Sequence, residues 1–225
     1  MDGRQVRSYV LRSGRMTGAQ RRAIDELWAR FGLARLPDDP TTVFGRRAPC
    51  VLEIGFGNGE ALLARATADP ARDYVGLEVY RPGIGHVLLN LAQQSLPNVR
   101  LVEADAAEAL RGFSAVFSEI CVWFPDPWPK KRHHKRRLIQ PGFVSTLAQA
   151  LRPNGILHLA TDDPGYAEVM RETVVTSGAF LSTPCPGTGR PESRFGRRAR
   201  AAGRCVEDFC YLRLQQDPQA VEPHP

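Results

Sequence analysis

The sequence predicts an α/β protein built on a doubly wound, mostly parallel sheet with an N-terminal helical extension. Three observations carry that expectation. From Cys50 onward, short apolar runs alternate with segments that are apolar at helical spacing, the pattern of a parallel sheet covered by helices on both faces. A glycine-rich turn, Gly55-Phe56-Gly57-Asn58-Gly59, follows the first run. Acidic residues then recur at or near successive strand ends: Glu53, Glu78, Asp105, Asp126 and Asp162. In a parallel sheet those ends share one edge, so the carboxylates can line a single crevice.

The elements follow in order. Thr17-Gly18-Ala19-Gln20 has capping-box spacing, and Ile24, Leu27, Trp28 and Phe31 supply an apolar helical stripe that Gly32 is placed to end. A loop from Leu36 to Thr42 separates this helix from the alternating region. Residues 1–45 thus read as a basic, helical extension, 46–214 as the main domain, and 215–225 as a polar, proline-rich tail expected to be disordered. Strands are expected at Cys50–Ile54, Tyr74–Glu78, Val99–Glu103, Val116–Trp123, Gly155–Ala160 and Val206–Leu214. Helices are expected from Glu60, over His86–Gln94, over Ala106–Leu110, and from Pro141 through Phe143, Leu147 and Leu151.

Composition narrows the function. The 225 residues carry a formal net charge of +6, and the cations are clustered. One cluster is the run Lys130 to Arg137; a second holds Arg190, Arg194, Arg197, Arg198, Arg200 and Arg204; a third holds Arg4, Arg7, Arg12 and Arg15. Convergence of such segments on one face favours a large polyanion as partner. No apolar stretch is long enough to span a bilayer, and no signal peptide is visible, so a cytoplasmic protein is expected. The five cysteines are scattered without a CxxC pair and read as buried thiols, not a disulfide framework or zinc site. His133 and His134 are adjacent and would point apart on a helix, so no metal is expected.

The most informative stretch is Phe124-Pro125-Asp126-Pro127-Trp128-Pro129-Lys130-Lys131-Arg132-His133. Its prolines cannot continue a sheet ladder, so the strand before it must hand over to a rigid loop that holds Asp126 at a strand's carboxyl end. A basic run directly behind a crevice carboxylate suggests chemistry on nucleic acid. The ligand of the glycine loop is expected to be cationic and free of phosphate. A dinucleotide fingerprint would place its third glycine at position 60, where Glu60 would repel a pyrophosphate. Glu78 stands where a carboxylate captures ribose hydroxyls, and Asp105 could reach an adenine edge. Ribose and adenine without phosphate point to S-adenosylmethionine.

These stretches, with Val51 to Gly59, Gly76-Leu77-Glu78-Val79 and Ala160-Thr161-Asp162, closely resemble the bacterial tRNA (guanine-N7-)-methyltransferase family, from about Arg7 to Leu214. The resemblance implies a Rossmann-like class I methyltransferase fold and methyl transfer from S-adenosylmethionine to N7 of the variable-loop guanosine at tRNA position 46. It makes Glu53, Gly55, Gly57, Glu78, Asp105 and Asp126 cofactor positions, with Asp126 also catalytic. It makes Lys130 and Asp162 substrate contacts. The family's late T-[KR]-[YF]-E motif aligns with Ser193-Arg194-Phe195-Gly196, which are assigned to the substrate site, although Gly196 lacks the family's carboxylate. That place is expected to stay vacant, with Asp126 and Asp162 as acceptors and Ser193 as donor or acceptor; the alternative is that Glu192 or the arginine-rich loop fills it. Two alternatives stay open: a tRNA-binding protein with decayed catalysis, and an RNA methyltransferase with another target base.

Overall fold

The chain is described here by a computed structural model covering Ser8 and residues 15–186 and 189–215. It runs α1 (Gly18–Phe31), β1 (Gly32–Leu33), α2 (Thr41–Phe44), β2 (Cys50–Ile54), α3 (Glu60–Ala68), β3 (Asp73–Glu78), α4 (Arg81–Gln94), β4 (Val99–Glu103), α5 (Ala106–Ala109) and β5 (Phe117–Trp123). A 3-10 helix (Lys131–Arg136) precedes α6 (Pro141–Ala150), β6 (Leu151–Thr161), α7 (Pro164–Thr176), β7 (Phe180–Thr183), α8 (Arg194–Ala201) and β8 (Glu207–Arg213).

The eight strands form one sheet in the order β1-β4-β3-β2-β5-β6-β8-β7. Only β8 runs against its neighbours β6 and β7; the remaining pairings are parallel. The strand order reverses between β2 and β5, and such a switch point opens a crevice at the carboxyl ends. All five residues of β2 are buried because each face has its own core. Cys50, Leu52 and Ile54 join the layer containing Phe143, Val144 and Tyr166, whereas Val51 packs with Ile24, Leu62 and Leu88. Each fully buried leucine among these stabilises the fold by about 1.5–3 kcal/mol.

Thr17 and Gln20 make the expected reciprocal cap of α1. That helix packs on α4, and β1 extends the sheet beyond β4. At the α4 start, a side chain at Gly83 would meet the Gly57 carbonyl oxygen at 2.1 Å, so the glycine loop rests directly on the helix backbone.

Several expectations need correction. The helix from Pro141 stops at Ala150, and Leu151 opens β6. The arginine-rich segment after Ser193 is helical, because Ser193 caps its first turn. α2, α7 and β7 were not anticipated. The cysteines are not all buried thiols: Cys185 and Cys210 form a disulfide with Cα atoms 5.0 Å apart, and Cys205 is exposed. The antiparallel pairing that sets Thr183 opposite Cys210 brings Cys185 within reach. Arg4, Arg7, Arg12 and the 216–225 part of the tail lie outside the described residues.

Candidate active site

The crevice at the switch point is a cavity of about 520 Å³. Glu53, Gly55, Gly57, Glu78, Asp105, Asp126, Ser193, Arg194 and Phe195 all line it, so one space joins nine of the expected site positions. Lys130, Asp162 and Gly196 stand outside that lining.

The glycine loop turns because Gly57 and Gly59 take φ of +57° and +74°, which a side chain would strain. Its register is set by Glu78. Glu78 Oε2 accepts the Gly57 N–H at 2.8 Å, while Oε1 accepts those of Val79 and Tyr80 at 2.7 and 3.0 Å. An ionised carboxylate has about four acceptor sites, so three amide bonds still leave one for a ligand hydroxyl. Asp105 caps α5 by accepting the Ala107 and Glu108 N–H groups on Oδ1 alone. Beyond Gly55 no atom lies within 4 Å of a built Cβ, and beyond Gly57 only the Phe195 ring does, at 3.7 Å. The cradle is therefore open to a ligand.

Glu53 is only 4% exposed. Burial pushes its carboxyl up to about 8 despite the nearby Arg65, and the charges of Glu119 and Glu78 add to the rise. A proton, or a bound cation in its place, neutralises the group. This set of carboxyl groups suits a ligand carrying positive charge and ribose.

The second wall is aromatic. Phe124 adopts φ of +54°, held by its N–H bond to the Ala160 carbonyl at 2.8 Å. Strained backbone of this kind concentrates at functional sites. The Phe124 and Phe195 rings stack with centroids 5.9 Å apart, and Phe195 is 44% exposed at the cavity mouth. Asp126 follows on the same loop. Sequence reasoning assigned Phe195 but missed Phe124 as its partner; the proline-bounded aromatic beside Asp126 was the available signal.

The basic run is not uniformly solvated. Arg137 is buried, donates from Nε to the Pro127 carbonyl and lies over the Tyr166 ring; Arg136 covers Trp128. Lys130, Lys131, Arg132 and Lys135 stay exposed. In the second cluster, Arg197 pairs with Glu60, Arg200 with Glu192, and Arg204 with Asp162. Glu192 is thus engaged on the surface and does not fill the space beside Gly196. Among the described residues, Arg194 and Arg198 line the cavity without a carboxylate partner.

The chain has close relatives. The family described as "Putative methyltransferase" matches residues 47–204. The tRNA (guanine-N(7)-)-methyltransferase of Alkalilimnicola ehrlichii is 47% identical over 227 residues, covering 96% of this chain and 95% of its own length. That of Xanthomonas campestris pv. campestris is 48% identical over 93% of this chain and 84% of its own. Among solved structures, the 16S rRNA methyltransferase KamB aligns with a TM-score of 0.59 at 17% identity, over 77% of this chain and 92% of that one. A 16S rRNA (adenine(1408)-N(1))-methyltransferase from Catenulisporales acidiphilia, with its cosubstrate, gives 0.59 at 16% identity, over 84% and 98%. These two likenesses show the class I methyltransferase fold.

Proposed function

The chain belongs to the tRNA (guanine-N(7)-)-methyltransferase family, and from that premise we propose how its crevice works. The protein transfers a methyl group from S-adenosylmethionine to N7 of a guanosine in tRNA. The finer reading is that the target is the variable-loop guanosine at position 46 and that the reaction takes place in the cytoplasm. No helix among the described residues is long and apolar enough to cross a membrane.

S-adenosylmethionine, when bound, supplies an electrophilic methyl on a sulfonium. The residues present fit it: an open glycine cradle, Glu78 with acceptor capacity for ribose, Asp105 with Oδ2 undonated among the described residues, and buried Glu53 for positive charge. Guanine N7 already carries a lone pair and loses no proton, so these residues need supply no general base. They work by alignment and electrostatics. Phe124 and Phe195 offer a stacking surface for an unstacked base, the usual way a protein holds a nucleobase for chemistry. Asp126 orients the guanine through its N1–H and N2 amine, and its charge steadies the cation that forms. Lys130 and the exposed cations behind it, with Arg194 and Arg198, hold nearby phosphates.

The observation that carries this reading is the meeting, in one cavity, of the carboxylate-lined glycine cradle with Asp126 and the two phenylalanines. Asp126→Asn should abolish most turnover and lower S-adenosylmethionine affinity far less. Full turnover by that variant would remove Asp126 from the catalytic role.

A further inference from the structure

Arg190 lies in the segment between β7 and α8 and is outside the cavity lining, yet its side chain is only 10% exposed. Its guanidinium grips Asp208 with two nitrogens, Nε to Oδ1 at 3.1 Å and Nη2 to Oδ2 at 3.4 Å. Nη1 donates to the Pro191 carbonyl at 3.3 Å. His158 shares Oδ1 with Arg190, its Nε2 lying 3.0 Å from that oxygen. Burial alone would raise the Asp208 carboxyl; the His158 and Arg190 hydrogen bonds and the Arg190 charge outweigh it and hold the group ionised below the usual range.

The same guanidinium lies over the Phe124 ring, 4.8 Å from its centroid. Phe124 is thereby held twice from one place in the sheet. Its backbone N–H bonds to the Ala160 carbonyl on β6, and Ala160 is the register partner of Asp208 on β8. Backbone and ring are thus both referred to the β6–β8 pair, one directly and one through Arg190. A phenylalanine at positive φ has no intrinsic reason to stay there, and this double hold supplies one. Beyond Phe124 the next layer is Phe195, at the cavity mouth.

We propose that Arg190, fixed by Asp208, is a positioning residue that clamps the Phe124 ring and so sets the aromatic wall on which the target guanine stacks. This rests on the reading of Phe124 and Phe195 as the base-stacking surface. Arg190 touches neither substrate nor cofactor; it acts through Phe124. Its planar, two-nitrogen grip is needed, since lysine can neither fork onto a carboxylate nor lie flat on a ring.

The test is steady-state methylation of tRNA by the full chain with Arg190→Ala, Arg190→Lys, Asp208→Asn, Phe124→Leu and Arg190→Ala/Phe124→Leu. S-adenosylmethionine affinity and thermal midpoint are measured beside it. Loss of one partly desolvated cation–ring contact predicts a rise in KM for tRNA of about tenfold in Arg190→Ala. Cofactor affinity should hold within twofold, and Arg190→Lys should recover little. The double variant should be no worse than the worse single, because both changes break the same contact. Arg171→Ala, which removes a comparable pair with Glu207 and a contact with Phe209, serves as the control for general loosening of β8. Equal loss of activity in Arg171→Ala and Arg190→Ala, additive effects in the double variant, or an unchanged KM would each overturn the proposal. An unmodified chain that methylates no guanosine would instead overturn the function it rests on.

Discussion

Arg197 Nη2 sits 3.0 and 2.9 Å from the two carboxylate oxygens of Glu60, tying α8 to the first turn of the helix that leaves the glycine loop. The residue that stands where a dinucleotide fold would want glycine is therefore an anchor for the helix bearing Phe195. Both side chains are substantially exposed, so the pair should contribute little to stability, about 0.2–1 kcal/mol. Its effect should appear in ligand retention. Arg197→Ala and Glu60→Gln should each weaken S-adenosylmethionine binding by about two- to fivefold, with no further loss when combined. Calorimetry that finds the two effects multiplying would show that the residues act separately.

Glu53 makes cofactor binding and stability depend on pH. Its carboxyl stands at about 8 in the folded protein against an ordinary 4.5, so the folded chain holds a proton that the unfolded chain releases between those values. Stability from this group is complete below about pH 4.5, falls as pH rises, and is lost above about 8. Glu53→Gln should flatten that part of the stability profile in chemical denaturation. Binding a cation beside Glu53 should also expel protons at pH 7. Titrations in buffers of different ionisation enthalpy should show release; proton uptake would contradict the assignment.

Only part of the basic run is exposed to a polyanion. Arg137 is buried and Arg136 is stacked on Trp128, leaving Lys131, Arg132 and Lys135 exposed on the 3-10 helix. Replacing those three with alanine should reduce the salt slope of tRNA binding by about two to three and leave cofactor affinity unchanged. An unaltered slope would mean that this helix does not meet phosphate.

Gly196 stands where the family resemblance implies a glutamate. A Cβ there would meet Arg190 Nη1 at 3.4 Å and the Phe124 and Ser193 side chains at 3.9 Å, so it fits at contact distance without displacing the guanidinium that Asp208 holds. Replacing a helical glycine gains about 0.5–1 kcal/mol, and an acidic group in the first turn of α8 adds to it. Gly196→Glu should raise the thermal midpoint by about 2–4 °C with unchanged cofactor affinity. A lowered midpoint would show that the space beside Arg190 and Phe124 does not take the side chain.

The sheet was legible because apolar runs such as Cys50–Ile54 and Val99–Glu103 are bounded by turns and acids, and both strands fall on the expected residues. β1 and β7 were not, because two and four residues carry no period of their own and depend on the partners β4 and β8. At the site, the cradle and Asp126 follow from local patterns. The Arg190–Asp208 and Arg197–Glu60 pairs join residues 18 and 137 positions apart, and local composition carries no signal for them. Arginine clustering suggested RNA where the fold spends much of it on carboxylates.

Locating the transferred methyl tests the target assignment most directly. The purified chain, labelled S-adenosylmethionine and an unmodified tRNA transcript should yield 7-methylguanosine at the variable-loop guanosine. A transcript with adenosine at that position should take up no label, and Asp126→Asn should leave the first transcript nearly unlabelled. Label on another base, equal labelling of both transcripts, or full labelling by Asp126→Asn would contradict the account.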